Sequence, residues 1–303
     1  MWTTPWLDQN FFHLFYYFII YSFLGWGMES AFVSISSKEW VNRGFLSGPF
    51  CPIYGVGALF MILLLSPVTD HVFLLFFGGF FLASVVEYVI AAILEKLFHA
   101  SWWDYSEKKW NLKGRVCLQR SVEWGLLTIV LMRVIHPVIQ GLADNIPTLL
   151  GEAAGTLLLM YLVADAGVTV QHILRLNEKL AHLSEATDDV RRRLESTRLY
   201  SARKELAEHL EHLPAAQFLR EWKDRMEETY GDIEQLQLEE RLRAEFVANE
   251  IREKLEYKVR VLEQQNFTER RLLRAFPGMR SMKFDFELQD LRSHINEKRK
   301  NRK

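Results

Sequence analysis

Residues 72–95 read Val72-Phe-Leu-Leu-Phe-Phe-Gly-Gly-Phe-Phe-Leu-Ala-Ser-Val-Val-Glu-Tyr-Val-Ile-Ala-Ala-Ile-Leu-Glu95, an apolar run with one charged residue, Glu87, inside it. A helix needs roughly 20 mostly apolar residues to cross the hydrocarbon core of a bilayer. Four other stretches meet or approach this length, at about 10–28, 45–66, 121–141 and 148–172. Gly48, Pro49 and Pro52 interrupt the second of the five. The sequence therefore predicts an all-α, polytopic membrane protein with five transmembrane helices.

The charged residues are divided unevenly along the 303-residue chain. Residues 1–174 contain 9 Lys or Arg and 12 Asp or Glu, whereas residues 175–303 contain 28 and 26. This division predicts a membrane domain over 1–174 and a charged helical domain over 175–303. It argues against a single globular enzyme domain, and the net charge of −1 argues against a basic nucleic-acid binder. With 2 cysteines, the chain is not a secreted disulfide scaffold.

The positions of Lys and Arg predict the orientation of the spans, because basic loops stay in the cytoplasm. Basic residues occur between spans one and two and between spans three and four, and the tail is also rich in them. The N-terminus and the 67–71 and 142–147 loops contain none. We therefore expect the N-terminus outside and the C-terminus in the cytoplasm.

Ionisable side chains within the spans are expected to be functional sites, because burying a charge in hydrocarbon costs several kcal/mol. Four acids lie toward the cytoplasmic ends of the spans: Glu29, Glu87, Glu123 and Asp165. They predict a polar cavity open to the cytoplasm, reached by Arg43 or Arg115 from the loops. The alternative is that they form structural pairs between helices. Arg133 and Glu152 form a candidate intramembrane pair, for which a structural and a functional role are equally compatible with the sequence.

The second candidate feature is the stretch Asn42-Arg-Gly-Phe-Leu-Ser-Gly-Pro-Phe-Cys-Pro-Ile-Tyr54-Gly-Val-Gly57. Irregular backbone at membrane depth is tolerated where it is buried in protein or lines a cavity. Transporters use broken helices of this kind to present backbone groups to a substrate. We therefore include Asn42, Arg43 and Tyr54 among the candidate site residues. The alternative is an amphipathic entry into span two at the interface.

The third candidate feature comprises Trp102-Trp-Asp-Tyr-Ser106 and Trp110-Asn-Leu-Lys-Gly-Arg115. Trp and Tyr gather at the level of lipid headgroups, so an interfacial aromatic belt explains the composition. The functional hypothesis is that Trp103, Asp104, Asn111 and Arg115 close the cytoplasmic mouth of the cavity.

Several of these motifs resemble the bacterial family of ABC-transporter type IV permeases. The resemblance rests on the blocks Phe23-Leu-Gly-Trp-Gly-Met-Glu29, Asn42-Arg-Gly-Phe-Leu46, Trp102-Trp-Asp-Tyr-Ser106 and Arg271-Leu-Leu-Arg-Ala-Phe-Pro-Gly-Met-Arg-Ser281. It implies an integral permease of the bacterial inner membrane that is energised by a separate ATP-binding subunit. The chain carries no nucleotide-binding or hydrolytic motif and no metal-ligand pattern, so we predict no catalytic residue, no metal and no cofactor of its own.

The tail carries two apolar stripes at helical spacing. The first contains Leu176, Leu180, Leu183, Thr187, Val190, Leu194 and Thr197, and the second Val247, Ile251, Leu255, Val259 and Leu262. They predict a self-packed helical bundle or a coiled coil that forms a homodimer or docks a partner. Five basic residues flank apolar ones near the end: Arg270, Arg271, Arg274, Arg280 and Lys283. This basic amphipathic segment is expected to bind anionic membrane lipids.

Three functions remain open from the sequence. The first is a permease component with an inward polar cavity. The second is a non-catalytic membrane scaffold or signalling protein that acts through its tail. The third is a membrane-embedded enzyme that acts on lipid headgroups through Glu29, Arg43, Glu87 and Asp104.

Overall fold

A computed structural model describes residues 5, 6, 9–196, 213–222, 224 and 238–300. The chain divides into two compact units. The membrane unit comprises Met1–Ile173 and Arg271–Arg280, and the tail unit comprises Leu174–Arg270 and Ser281–Lys303. The segment Arg271–Arg280, here called the return segment, therefore belongs to the membrane unit although it lies near the end of the chain.

The membrane unit is built from helices, as predicted. In chain order these are α1 (Phe11–Ser37), α2 (Pro52–Leu65, followed by a 3₁₀ turn at Ser66–Val68), α3 (Val72–Phe98), α4 (Leu118–Val130), a π turn (Leu131–Ile135), α5 (His136–Asp144) and α6 (Thr148–Ser196). The strands are two residues each: β1 (Pro5–Trp6) pairs with β2 (Gln9–Asn10), β3 is Ala100–Ser101, β4 (Asn111–Leu112) pairs with β5 (Val116–Cys117), and β6 is Arg280–Ser281.

Four helical stretches are long and apolar enough to cross a membrane. They are Phe11–Ser37, Val72–Phe98, Leu118–Asp144 and Thr148–Arg193. The remaining predicted span is the shorter apolar stretch Pro52–Val68. It begins at Pro52 because Gly48 and Pro49 do not support a helix, whereas proline is well tolerated in a first helical turn. Four of the five predicted spans are thus long and apolar enough to cross a membrane, and five crossings stay a prediction.

Neighbouring helices approach closely where one of them carries glycine. A Cβ atom at Gly25 of α1 would clash with the ring of Tyr54 on α2, and one at Gly79 of α3 would clash with Thr128 on α4. Small residues allow backbones to come together in a membrane, where van der Waals packing drives helix association. These contacts bring α1 against α2 and α3 against α4.

The π turn between α4 and α5 precedes Pro137, which has no N–H to donate and whose ring crowds the preceding turn. Arg133 lies in this turn and donates from Nε to the carbonyl of Thr69 (3.0 Å) and from Nη2 to that of Asp70 (2.6 Å). Its guanidinium therefore caps the connection between α2 and α3. Among the described residues, no ion pair joins Arg133 to Glu152.

The tail unit contains the second half of α6, a helix over 215–222 (α7), α8 (Leu238–Glu263), the first turn of α9 (Phe267–Ala275) and α10 (Asp285–Lys300). From Arg271 onward, α9 belongs to the return segment. Both predicted stripes are largely buried in this unit: Leu176, Leu180, Leu183, Val190, Ile251, Leu255 and Leu262 are each at most 1% exposed. Val190 packs with Phe218, Trp222 and Ile251. Thr197 and the side chain of Leu194 lie outside the described residues, and the coiled-coil homodimer stays a prediction.

Candidate functional site

The loop between α1 and α2 is ordered by Asn42, the first residue of what we call the Gly/Pro loop (residues 42–51). The Oδ1 atom of Asn42 accepts hydrogen bonds from Trp26 Nε1 (2.8 Å) and from the backbone N–H of Gly44 (3.0 Å). Its Nδ2 atom donates to the carbonyl of Ser47 (2.9 Å). One amide side chain thus closes the loop on itself and ties it to α1.

Asp165 on α6 holds the backbone N–H groups of the Gly/Pro loop. Ser47 N donates to Oδ1 (3.0 Å) and Gly48 N donates to Oδ2 (2.8 Å). Asp165 is 9% exposed, and charge-assisted bonds of this kind are about twice as strong as neutral ones. The predicted cavity residue Asp165 is therefore engaged by the Gly/Pro loop.

Arg271 of the return segment holds the carbonyl groups of the same loop. Nη1 donates to Gly44 O (2.8 Å) and Leu46 O (3.0 Å), and Nη2 donates to Phe45 O (3.2 Å). The side chain is buried, and this burial lowers the pKa of Arg271. The Gly/Pro loop thus presents three carbonyls to a cation and two N–H groups to an anion.

Two more members of the predicted membrane-surface basic segment can be placed within the membrane unit. Arg280 forms an ion pair with Asp104 (2.9 Å between Nη1 and Oδ2), and Arg274 is exposed. Arg271 is not available to lipid because the protein surrounds it. Arg270 and Lys283 belong to the tail unit, where Lys283 is exposed. Binding of anionic lipid by this set stays a prediction for the exposed members alone.

Glu29 near the end of α1 accepts two hydrogen bonds. The Tyr54 hydroxyl donates to Oε1 (2.5 Å) and Arg43 Nε donates to Oε2 (3.3 Å). The Arg43 guanidinium also stacks over the ring of Phe276, 4.7 Å from its centroid. Three residues selected from the sequence, Glu29, Arg43 and Tyr54, therefore meet in one polar group.

Glu87 on α3 forms a second acidic centre, 7% exposed. Its Oε1 accepts from the Tyr105 hydroxyl (3.2 Å) and its Oε2 accepts from Trp124 Nε1 (3.3 Å). The Trp124 ring packs edge-on against Tyr54, with centroids 5.8 Å apart. Tyr54 and Trp124 therefore link Glu87 to Glu29.

The segment 102–115 is held in place by its own polar side chains. Trp103 Nε1 donates to Arg115 O (2.9 Å), and Arg115 pairs with Glu95 (2.6 Å). Asn111 donates to the carbonyls of Ser106 and Lys108 and accepts from Gly114 N, so it closes the β4–β5 turn.

Asp104 accepts hydrogen bonds from the backbone N–H and the hydroxyl of Ser106, and the hydroxyl bond is the main reason that its pKa is lowered. These contacts shape the segment from within. The structure therefore places Trp103, Asp104, Asn111 and Arg115 together in one ordered turn region.

Glu123 is the predicted acid that the structure leaves outside these groups. It pairs with Arg120 one turn earlier on α4 (2.6 Å), and both side chains are nearly half exposed. The other acids accept hydrogen bonds from protein donors, so the cytoplasmic cavity stays a prediction. Among the described residues, no cluster of three or more His, Cys, Asp or Glu side chains could hold a metal ion.

Four contributors were not among the predicted cavity residues: Tyr105, Trp124, Arg271 and Phe276. Tyr105 belongs to the Trp102–Ser106 motif, and its burial raises its pKa. Trp124 stands one residue after the expected acid, Glu123. Both aromatic residues carry a polar N–H or O–H group, which needs a partner when buried, and this requirement is the signal that could have identified them.

Comparison with known proteins supplies one result. A family model described as "Putative ABC-transporter type IV" matches residues 16–170. Comparisons with curated proteins and with solved structures yield no match. The matched range contains the Gly/Pro loop, Glu29, Glu87 and Asp165, and it covers half of the chain. The chain belongs to the ABC-transporter type IV family.

Proposed function

We propose that the protein is the permease component of a transport system in the bacterial inner membrane. It crosses the membrane five times, with its N-terminus outside and its C-terminus in the cytoplasm, and a separate subunit supplies ATP hydrolysis. The observation that carries this proposal is the Gly/Pro loop, whose backbone N–H groups bind Asp165. Transporters present backbone groups of interrupted helices to substrates and ions in this manner.

The length of α2 supports a loop at membrane depth. Its 14 residues extend about 21 Å, less than the roughly 30 Å of a hydrocarbon core. The Gly/Pro loop supplies the remaining distance, and its polar backbone groups are bound by protein side chains as such a position requires. The fifth crossing is therefore assigned to residues 42–68.

The two linked acids supply the polar lining. Glu29 and Glu87 are near enough to interact electrostatically, and Tyr54 and Trp124 connect them. An acid in a span that faces the protein interior marks a substrate or ion pathway by default. We assign Glu29 and Glu87 to the substrate pathway, and we place Glu123 outside this pathway.

Replacement of Glu87 tests the site. Glu87→Gln should abolish complementation of a deletion strain while the protein is still inserted and monodisperse, because the neutral amide retains one acceptor but no charge. Glu123→Gln is the matched control and should complement fully, since Glu123 is exposed and paired to Arg120. Full complementation by Glu87→Gln would exclude it from the pathway.

Affinity purification in mild detergent tests the partner. A near-stoichiometric ATP-binding subunit in the eluate supports the permease, and recovery of the protein alone contradicts it. The two alternatives have their own outcomes. Complementation by the tail alone would indicate a scaffold, and an altered lipid profile in the deletion strain would indicate an enzyme acting on headgroups.

A further inference from the structure

The return segment hydrogen-bonds to the Gly/Pro loop through Arg271. Its guanidinium donates to the carbonyls of three consecutive residues, Gly44, Phe45 and Leu46, at 2.8, 3.2 and 3.0 Å. These acceptors come from one irregular loop and converge on one group more than two hundred residues away in the chain. A site of this kind does not arise from a helix or a strand, where neighbouring carbonyls point along the axis or alternate.

The three acceptors match a guanidinium better than an ammonium. A guanidinium is planar and presents five N–H donors in a fixed fork, so it can reach separated acceptors at the same time. The ammonium of lysine is a compact point charge with donors on one atom. Asp165 binds the next two residues of the loop and adds a favourable negative charge near Arg271.

The rest of the return segment combines buried apolar residues with aromatic and ionic contacts. Phe276 packs edge-on against Trp102, with centroids 4.9 Å apart, and lies under the Arg43 guanidinium. The ion pair of Arg280 with Asp104 is solvent-exposed on the arginine side, at 59%. In the described part of the chain the Nε atom of buried Arg271 has no hydrogen-bond partner, which leaves the fit incomplete.

We propose that the carbonyls of Gly44, Phe45 and Leu46 form a guanidinium-binding site, which Arg271 occupies as an intramolecular ligand, so that the return segment is a releasable latch on the Gly/Pro loop. The site recognises guanidinium-bearing molecules as a chemical class. Release of Arg271 frees the three carbonyls and loosens the loop. The latch does not require that the protein transports a substrate.

Cys51 reports the state of the latch. It ends the Gly/Pro loop, is 7% exposed, and its Sγ lies 3.9 Å from the carbonyl of Arg43. Because the thiol is buried in the closed state, it is shielded from a water-soluble reagent. Cys117 in β5 is the second cysteine, 2% exposed, and serves as an internal control.

The experiment measures alkylation of both cysteines by N-ethylmaleimide in the full-length protein in mild detergent, with mass spectrometry of each site. Arg271→Ala should increase the labelling rate of Cys51 by at least about tenfold and leave that of Cys117 unchanged, because several charge-assisted bonds are lost. Arg274→Ala is the matched control, an exposed arginine in the same segment, and should change neither rate.

Chemical rescue tests the site itself. Methylguanidinium at low millimolar concentration should lower the labelling rate of Cys51 in Arg271→Ala toward that of the parent protein. Methylammonium should act more weakly, and uncharged N-methylurea should not act. Phe276→Ala, which leaves the carbonyls and Arg271 in place, should give a smaller increase at Cys51.

Two results would overturn the proposal. If Arg271→Ala raised the labelling rates of Cys51 and Cys117 equally, the return segment would stabilise the whole fold and would not act on the Gly/Pro loop alone. No acceleration at Cys51, or acceleration that methylguanidinium does not reverse, would show that the carbonyls do not form a guanidinium site.

Discussion

Gly48 occupies a position where the Gly/Pro loop meets α6 too closely for any side chain. A Cβ atom there would lie 3.0 Å from Asp165 Oδ2 and would clash with the Tyr161 hydroxyl. Gly48→Ala should therefore displace Asp165 and destabilise the membrane unit by about 1–3 kcal/mol, as overpacking does. The thermal unfolding midpoint of the protein in detergent measures this loss of stability. Gly57→Ala is the control, since nothing lies near a Cβ at Gly57, and equal midpoints for the two variants would contradict the expectation.

Lys258 is the residue on which the charge balance of the tail unit depends. Its Nζ lies 3.5 Å from Asp290 Oδ2, and both side chains are 2% exposed. Glu287 is also buried nearby, so Lys258→Met leaves two carboxyl groups without a cation. We expect a loss of about 3–5 kcal/mol in the stability of the tail unit, measured by urea-dependent proteolysis of the full-length protein. The double variant Lys258→Met with Asp290→Asn should recover part of it.

The same cluster predicts a pH dependence. Burial raises the pKa of Asp290 and of Glu287, and Lys258 opposes the shift in both. In Lys258→Met these pKa values rise further, so the folded state binds more protons than the unfolded state as pH falls toward about 5. The variant should therefore gain stability on acidification from about pH 8 to about pH 5. Proteolysis midpoints that are the same at both pH values would contradict this.

Single residues differ in how far the sequence identified them. Glu29, Glu87 and Asp165 were identifiable because an acid within an apolar span is rare and costly. Arg271 was assigned to a membrane-surface segment because its neighbours alternate basic and apolar residues. Its true partners, the carbonyls of 44–46, carry no sequence signal, since every residue has a carbonyl.

Among the elements, the Gly/Pro loop depends most on one side chain from another helix. Asp165→Asn keeps one acceptor but turns an N–H donor toward the loop N–H groups, so a bond is lost at Ser47 or Gly48. The cost is about 1.5–3 kcal/mol, the value of a hydrogen bond to a charged group. Tryptic cleavage after Arg43 should accelerate accordingly.

A matched acid on the same helix controls for that experiment. Glu152→Gln neutralises an acidic side chain 13 residues before Asp165 on α6, and the tryptic cleavage rate of this variant should equal that of the parent. If tryptic cleavage after Arg43 were as slow in Asp165→Asn as in the parent, contacts other than those of Asp165 would hold the Gly/Pro loop.

The helices themselves were largely predictable, and their ends less so. Pro52 was predicted to interrupt the second span, but it begins α2, because proline fits a first turn and the preceding glycine and proline do not extend a helix. The change of composition near Leu174 predicted a domain boundary, and α6 runs through this position, from Thr148 to Ser196. A change from apolar to charged residues alters the surroundings of a helix, whereas a break needs glycine, proline or a cap.

The whole molecule makes a prediction about topology. With the N-terminus outside, a cysteine at Asn145, exposed between α5 and α6, should react with an impermeant maleimide on intact cells. A cysteine at Lys109, exposed between α3 and α4, should react after permeabilisation only. Cys51 and Cys117 are buried and give a low background. The reverse pattern, or equal labelling at both positions, would contradict five spans with this orientation.

During biosynthesis, the Gly/Pro loop is made long before the return segment that binds it. The carbonyl of Gly44 and its donor Arg271 are 227 positions apart. At a synthesis rate of about 5–20 residues per second, the ribosome needs roughly 11–45 seconds between the two. Until Arg271 has been synthesised, the Gly/Pro loop therefore lacks the donor that binds its three carbonyls. A nascent chain that is cut short before Arg271 contains every span but cannot complete its membrane unit, so a cell could distinguish full-length from truncated protein by the state of this one loop.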